Sequence, residues 1–188
     1  MLLKNKYCPT CLHELRPKFT SFKVDGYKAL AVYDYNDRIK SLLYQFKGCF
    51  DYELSDIFIY KYRKELRLLY DGYVMVPIPS YKEDDEIRQF NHVNEMFKYI
   101  NLPMRHLLIK TEKVKQADLS SEERQNINRY LALSDNESLK NKKVLIVDDV
   151  FTTGSTVRAA INLLKTLGPK KIEILVMSKS IFIEQNNE

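Results

Sequence analysis

The sequence predicts an α/β protein whose sheet is largely parallel and flanked by helices, and three observations support this class. The last third of the chain contains two apolar runs, Val144–Val147 and Ile172–Met177, separated by one amphipathic stretch. This order is that of a strand–helix–strand unit with parallel strands. Further apolar runs at 28–35 and 73–76 alternate with segments of helical spacing. A chain of 188 residues, 45% hydrophobic and 29% charged, can also bury one sizeable core.

The individual elements follow from apolar spacing and from breaker residues. Residues 1–25 show no helix or strand period. A short strand is expected at 107–109, and a flexible loop at 110–119 leads into a short helix whose capping box is formed by Ser120 and Glu123. The remaining helices are marked by three groups of apolar residues at helical spacing, which are Ile39, Leu42, Leu43 and Phe46; Leu54, Ile57, Phe58 and Leu66; and Val93, Met96, Phe97 and Ile100.

The segment from Val144 to Thr156 carries the clearest functional signal. A buried strand runs into two acids, then into a turn rich in hydroxyl groups, and then into a helix. Ligands bind at the carboxyl ends of parallel strands, and the backbone N–H groups of a turn and a helix N-terminus can surround a phosphate. Gly154 permits the turn and a close approach of the ligand. Phosphate binding is therefore predicted for Phe151, Thr152, Thr153, Gly154, Ser155 and Thr156.

The two acids of this segment are expected to bind a sugar. Asp148 and Asp149 lie where the strand emerges, so their carboxylates can accept hydrogen bonds from vicinal hydroxyls, directly or through Mg²⁺. They are not predicted to act as general acid and base, and no catalytic residue is identified. The alternative is an ordinary strand, turn and helix whose Ser and Thr residues only cap the helix. The coincidence of all these features in one order favours the ligand site.

The segment resembles the phosphoribosyl pyrophosphate signature of type I phosphoribosyltransferases. The resemblance implies that Asp148 and Asp149 hold the ribose 2′ and 3′ hydroxyls, that residues 151–156 form the 5′-phosphate loop, and that Mg²⁺ accompanies phosphoribosyl pyrophosphate. It also implies the fold of that class, a parallel sheet with flanking helices. The second hypothesis that it supports is an active, Mg²⁺-dependent phosphoribosyltransferase of unknown acceptor. The third is a sensor that binds phosphoribosyl pyrophosphate without turnover.

Further blocks, which cover nearly the whole chain, are similar to those of the ComF family. The blocks are Cys8-Pro9-Thr10-Cys11, Lys47-Gly48, Val76-Pro77-Ile78-Pro79, Arg88-Gln89-Phe90-Asn91, and Gln116 to Leu119 followed by Arg124 and Asn128. The resemblance adds four pocket candidates, Arg88, Asn91, Gln116 and Arg124. It implies a competence protein that serves natural transformation and DNA uptake, where incoming single-stranded DNA is handled inside the cell. The partners that it implies are a competence helicase and DNA-processing proteins.

Two features depart from the family pattern. The stretch from Lys82 to Glu86 carries four acids where the family is rich in arginine, and these acids are expected to repel a pyrophosphate leaving group. The family's zinc knuckle has two Cys pairs, whereas this chain has one, Cys8 and Cys11. The sequence thus predicts a partial zinc-ribbon knuckle over 1–25 with an incomplete Zn²⁺ site, joined to a phosphoribosyltransferase-like domain over 26–188. A redox pair is the alternative for the two cysteines.

The charge distribution indicates a place for nucleic acid. Residues 1–50 hold nine basic and four acidic side chains, which accounts for the whole net charge of +5. Single-stranded DNA is expected to contact the N-terminal surplus, and the alternative is a solvated basic face. The contact candidates are Arg16, Lys18, Lys23 and Lys28.

The cellular compartment is also predicted from the sequence. No run of 18 apolar residues occurs, and the N-terminus lacks the apolar stretch of a signal peptide, so a cytoplasmic protein without a membrane span is expected. The three cysteines fit a reducing compartment. Cys49, next to a predicted core helix, is expected to be a buried or partly buried thiol rather than a metal ligand.

Overall fold

The computed structural model describes residues 15–111 and 131–180. These residues contain a main sheet of five strands. The strands of the described ranges are β1 (Thr20–Val24), β2 (Tyr27–Asp34), β3 (Tyr73–Pro77), β4 (Leu108–Lys110), β5 (Leu131–Leu133), β6 (Lys143–Phe151) and β7 (Lys171–Lys179). The α-helices are α1 (Asp37–Lys47), α2 (Arg63–Leu69), α3 (Lys82–Arg88), α4 (His92–Phe97) and α5 (Ser155–Leu164). Short 3-10 helices occupy Tyr52–Leu54, Lys98–Ile100 and Lys165–Leu167.

The strand order in the main sheet is β1-β2-β7-β6-β3. The pairs β2–β7, β7–β6 and β6–β3 are parallel, and only the edge strand β1 is antiparallel to its neighbour. The predicted class, an α/β protein with a largely parallel sheet and flanking helices, is therefore confirmed. Strands β4 and β5 form a separate antiparallel pair.

Strand β6 is buried on both faces of the sheet, and its side chains alternate between the two faces. Leu145 and Val147 pack into a core with α1, α2 and α4, whereas Val144 and Ile146 pack into a second core with α5 and the β4–β5 pair. All four side chains are fully buried. Because successive side chains of a strand alternate between faces, the acids that follow on β6 also start out toward opposite faces.

The prediction that residues 1–25 contain no regular element is wrong for Thr20–Val24. This strand forms a hairpin with β2 through the turn Asp25-Gly26, where both residues have a positive φ. An Asp-Gly dipeptide between alternating residues favours such a turn, because Gly and Asp tolerate this conformation. The division at residue 25 stays a prediction, since residues 1–14 lie outside the described part; Thr20–Val24 nevertheless pair with the main sheet.

Two other expectations need correction. The apolar spacing from Leu54 to Leu66 predicts one helix, but the chain forms a 3-10 helix, a series of turns and then α2. The side chains of Ile57, Phe58 and Ile59 are all buried, so this segment packs as an irregular layer rather than with one helical face. Cys49 is exposed and not buried, because α1 ends at Lys47 and the cysteine lies beyond the helix.

Candidate functional site

A cavity of about 450 Å³ lies at the carboxyl ends of β3 and β6. Its polar lining comes from six places: the end of α1, the segment from the end of β3 through α3, the start of α4, the end of β4, the end of β6 and the start of α5. The ionisable side chains in the lining are Lys47, Tyr81, Asp84, Arg88, His92, Lys110, Asp148 and Asp149. The topology thus brings together residues that lie far apart in the sequence.

The predicted phosphate loop forms one end of this site. Residues 151–157 surround a small hollow of about 30 Å³ that shares Asp148, Val150 and Thr156 with the main cavity. The loop leads into α5, whose first turn contains Ser155 and Thr156. Hydroxyl groups and the start of a helix therefore lie together, as a phosphate site requires.

Gly154 has a structural role at the start of this helix. Its φ is +74°, and a Cβ added here would lie 2.5 Å from the ring of Phe151. Arg158 donates a hydrogen bond to the Thr153 carbonyl oxygen at 2.6 Å and contacts Asp25 of the β1–β2 turn at 3.2 Å. Gly154 thus permits the turn, and the Arg158 guanidinium holds the loop in it.

Asp149 is enclosed by donors of the protein itself. Its Oδ2 accepts a hydrogen bond in an ion pair with Lys47 Nζ and lies 3.3 Å from His92 Nε2. Its Oδ1 accepts the Val150 N–H at 2.8 Å. Burial by itself raises the pKa of this carboxyl, but the His92 hydrogen bond and the Lys47 charge outweigh burial and hold the pKa well below its ordinary value. Asp149, which is 8% exposed, is therefore a buried carboxylate with both oxygens bonded.

The tautomer of His92 follows from its second contact. Arg88, whose side chain is 9% exposed, bonds to His92 Nδ1. A guanidinium has only donors, so Nδ1 must be the acceptor and the neutral ring carries its proton on Nε2. That proton points to Asp149. Arg88 therefore donates to His92, and His92 donates to Asp149, so the three residues form one chain of hydrogen bonds.

Asp148 has a different environment, although it is the neighbour of Asp149. It lines both the main cavity and the hollow of the phosphate loop. Its Oδ1 accepts the Asp149 N–H at 2.9 Å, and Oδ2 has no hydrogen bond to any residue within 15–111 or 131–180. Burial and the adjacent Asp149 charge raise the pKa of Asp148. This carboxyl is the one whose second oxygen remains for a ligand.

The predicted Mg²⁺ contact can be tested by asking which oxygens of the two acids could act as metal ligands. Mg²⁺ requires oxygen ligands, and it usually keeps several waters. Asp148 offers one oxygen without a partner among the described residues, but both oxygens of Asp149 are already bonded. The pair does not fit a metal that is held by both carboxylates. In the described ranges, no group of three or more His, Cys, Asp or Glu side chains is arranged for a metal ion.

The acids of α3 are divided between the site and the solvent. Asp84 lines the main cavity, whereas Glu83 is exposed. Asp85 accepts hydrogen bonds from Ser80 at 2.6 Å and from Asn91 at 2.8 Å, and it lies 3.7 Å from Arg88. The predicted pocket residue Asn91 thus supports the chain between β3 and α4 and also caps α4 by accepting the Asn94 N–H.

A second, larger opening adjoins the main cavity. It has a volume of about 740 Å³ and shares Pro79, Ser80 and Lys110 with the main cavity. The rest of its lining comes from the β4 strand and from the α3 segment, namely Lys82, Asp85, Glu86, Gln89, Phe90 and Asn91. Lys110, at the border, places its ammonium 4.5 Å from the centre of the Tyr81 ring.

The remaining predicted site residues lie apart from the cavity or outside the described ranges. Lys23 and Lys28 face each other across the β1–β2 hairpin and are exposed. Lys18 forms an ion pair with Asp34, and Arg16 is exposed. The predicted pocket residues Gln116 and Arg124 and the cysteines Cys8 and Cys11 lie outside the described residues.

Three site residues were missed by the sequence reasoning: Lys47, His92 and Lys110. Lys47 belongs to a block that carries the family resemblance, and His92 directly follows another such block, so a signal was present for both. No local pattern marks Lys110. All three enter the site because the end of α1, the start of α4 and the end of β4 converge at the end of β6.

Comparisons with known proteins show what this chain is similar to. A family model described as phosphoribosyl transferase domain matches residues 92–180. Competence protein ComFC of Bacillus subtilis (strain 168) is 31% identical over 132 residues, which cover 69% of this chain and 55% of the relative. Competence protein ComFC of Streptococcus pneumoniae (strain ATCC BAA-255 / R6) is 26% identical over 172 residues, covering 88% of this chain and 77% of the relative.

The chain belongs to the ComF family. Its fold is that of the type I phosphoribosyltransferases, a mostly parallel sheet with flanking helices. This ComF-family chain is also similar to a solved hypoxanthine phosphoribosyltransferase from Staphylococcus aureus, with 16% identity and a TM-score of 0.42, over 68% of this chain and 73% of that chain. It spans just over half the length of its Bacillus relative. In the described ranges, no helix has the length and apolar character needed to cross a membrane.

Proposed function

We propose that this chain is a competence protein that binds a ribose 5-phosphate group, as phosphoribosyl pyrophosphate or within nucleic acid, while incoming single-stranded DNA is handled during natural transformation. The observation that carries the proposal is the continuity of the site. The phosphate-loop hollow, the cavity around Asp148 and the larger opening share lining residues in that order. They match the order of 5′-phosphate, ribose and the group attached at C1′.

The main cavity is lined by three cations, Lys47, Arg88 and Lys110, and by three carboxylates, Asp84, Asp148 and Asp149. The support for an anionic ligand therefore comes from the backbone and hydroxyl donors of the phosphate loop. Asp148 would accept hydrogen bonds from the ribose hydroxyls. Mg²⁺ would enter with the pyrophosphate of phosphoribosyl pyrophosphate. Gln116 and Arg124 are proposed to complete the pocket, and Cys8 and Cys11 to hold Zn²⁺ with an incomplete ligand set.

The β1–β2 hairpin is the proposed contact surface for single-stranded DNA. Lys23 and Lys28 are cross-strand partners, and like charges in such positions repel each other. A bound polyanion relieves this repulsion and releases counterions. The family resemblance adds a competence helicase and DNA-processing proteins as proposed partners, and the cytoplasm as the proposed location.

An active Mg²⁺-dependent phosphoribosyltransferase is the second candidate, and the larger opening favours it. In the proposed pose, this opening would receive the acceptor that approaches C1′. Asp84 in the cavity opposes the departure of pyrophosphate. A sensor that binds without turnover has the same site. Pyrophosphate release, measured with a panel of bases and nucleosides, distinguishes the enzyme from the sensor.

The proposal is tested by calorimetry with three ligands: phosphoribosyl pyrophosphate with Mg²⁺, ribose 5-phosphate, and a short single-stranded DNA. Asp148→Asn removes a charged acceptor, so affinity for both phosphosugars should fall about tenfold or more. Asp71→Asn is the matched control, because Asp71 is 77% exposed at the opposite end of the sheet, before β3. Absence of phosphosugar binding to the wild-type protein, or equal affinity in both variants, would contradict the proposal.

A further inference from the structure

The ion pair between Lys47 and Asp149 occupies a carboxylate oxygen that a metal shared by the two acids would need. Lys47 is the last residue of α1 and reaches Asp149 across 102 positions of the sequence. Its side chain is 37% exposed, so the ammonium both touches the buried carboxylate and borders the cavity. The pair has no net charge, so of the two acids at the end of β6 only Asp148 presents an unpaired charge to a phosphosugar.

The structure holds Lys47 and Asp149 in this arrangement from both sides. The helix that carries Lys47 is closed directly behind it by the Gly48 and Cys49 N–H groups, which both donate to the Tyr44 carbonyl oxygen. His92 donates to the same oxygen of Asp149 that pairs with Lys47. A divalent ion at Oδ2 of Asp149 would have to displace both donors from a carboxylate that is 8% exposed.

We propose that Lys47 takes the place of a divalent metal at the ribose end of the pocket, so that this chain binds ribose 5-phosphate without Mg²⁺. The proposal rests on the proposed function, since it assumes a phosphosugar in this cavity. Asp148 holds the ribose hydroxyls, and Asp149 is an internal counter-ion that fixes the end of β6. Lys47 and His92 are positioning residues for this carboxylate, and Lys47 also sets the charge that the ligand meets.

Titration with ribose 5-phosphate, which lacks the metal-binding pyrophosphate, gives the first test. Wild-type affinity should change by less than roughly twofold between Mg²⁺ and a chelator, because no metal site is completed by the ligand. Lys47→Met should bind about tenfold more weakly in chelator and regain affinity with Mg²⁺, since Asp149 is then free for the ion. Lys47→Arg, which keeps the cation, should behave as the wild type does. Lys40→Met, an exposed lysine of the same helix, is the matched control.

Binding of Mn²⁺ to the free protein, followed by electron paramagnetic resonance, tests the inference without a phosphosugar. The wild type should show no Mn²⁺ site that depends on Asp149, whereas Lys47→Met should gain one that Lys47→Met/Asp149→Asn loses. If ribose 5-phosphate fails to bind in any condition, the proposed function falls and the Mn²⁺ result alone decides the role of Lys47. A wild-type Mn²⁺ site abolished by Asp149→Asn, or a tenfold gain of wild-type ribose 5-phosphate affinity with Mg²⁺, would overturn the inference.

Discussion

Asp148 and Asp149 are chemically identical neighbours, yet each has its own task because the strand turns them toward different surroundings. Asp149 lies on the side of α1 and α4, where Lys47 and His92 enclose it. Asp148 borders the phosphate-loop hollow and keeps one oxygen without a partner among the described residues. At the residue scale, the hypothesis that both acids hold ribose hydroxyls stays a prediction, and these different surroundings support our proposal that Asp148 alone does so.

The role of His92 can be tested by a change that keeps its donor. His92→Gln retains an N–H group at the end of the side chain, so ribose 5-phosphate affinity should stay within about threefold of the wild type. His92→Phe removes the donor and should lower the affinity about tenfold. Two-bond ¹H–¹⁵N spectra of the wild-type ring should show a neutral imidazole protonated on Nε2. A ring protonated on Nδ1, or equal losses in both variants, argues against the hydrogen-bond chain.

Gly154 allows backbone strain to be separated from a clash. Gly154→Ala places a methyl group against the Phe151 ring, whereas Gly168→Ala has a similarly positive φ of +71° and nothing within 4 Å. Both should lose about 1 kcal/mol of unfolding free energy from the left-handed backbone. Only Gly154→Ala should lose ribose 5-phosphate binding, by about tenfold or more, since Phe151 and the loop must move. Denaturant unfolding and calorimetry measure the two effects, and equal binding losses would refute the role of this contact.

At the scale of elements, the β1–β2 hairpin connects the proposed DNA surface to the phosphate loop. Asp25 in its turn contacts Arg158, which in turn holds the Thr153 carbonyl oxygen. The two exposed lysines of the hairpin flank this turn in the sequence. The Arg158 guanidinium thus connects the hairpin turn directly to the phosphate loop.

Neutralising the hairpin should weaken DNA binding in a salt-dependent way. For Lys23→Gln/Lys28→Gln, the slope of log affinity against log salt should become less steep by about 1 to 2, because fewer counterions are released. Lys142→Gln/Lys170→Gln removes the same charge from exposed residues at the amino ends of β6 and β7 and should leave the slope unchanged. Fluorescence anisotropy with a labelled single strand gives both slopes. An unchanged slope in the hairpin variant would place the DNA surface elsewhere.

At the scale of the whole molecule, the two acids have opposite effects on stability. The pKa of Asp149 is lowered on folding, so its ionisation stabilises the protein above pH about 4, and this stabilisation is lost as the pH falls toward the folded pKa. The pKa of Asp148 is raised, so its ionisation opposes folding once the pH exceeds the unfolded value. The ionised Asp148 in the cavity thus lowers the free energy of unfolding.

Thermal unfolding of two single variants should show this opposition. At pH 7, Asp148→Asn should raise Tm by about 2–4 °C, which corresponds to roughly 1 kcal/mol for a chain of this size. Asp149→Asn should lower the unfolding free energy by roughly 1–3 kcal/mol, because Lys47 loses its partner. The gain in Asp148→Asn should vanish below pH about 4, where this acid is protonated in both states. A stabilised Asp149→Asn variant would contradict the electrostatic assignment.

Local patterns were enough to predict the α/β class, the strand–helix–strand unit and the segment of Asp148 to Thr156. Buried strands and amphipathic helices leave periodic apolar residues, and a turn that needs a glycine and hydroxyl groups leaves them in consecutive positions. Phe151, Gly154 and Thr156 could therefore be named from the sequence. The strand at Thr20–Val24 was missed although Asp25-Gly26 favours a hairpin.

Only the tertiary structure decided which residues complete the site and how the two acids differ. Lys47 and His92 meet Asp149 because α1 and α4 pack on one face of the sheet and end at the same edge. No local period encodes such a meeting, since it depends on packing between elements that are up to 102 positions apart. The protonation of the two carboxyls is also decided by the tertiary structure. Burial and charged partners, which shift the pKa of each carboxyl, exist only once the chain has folded.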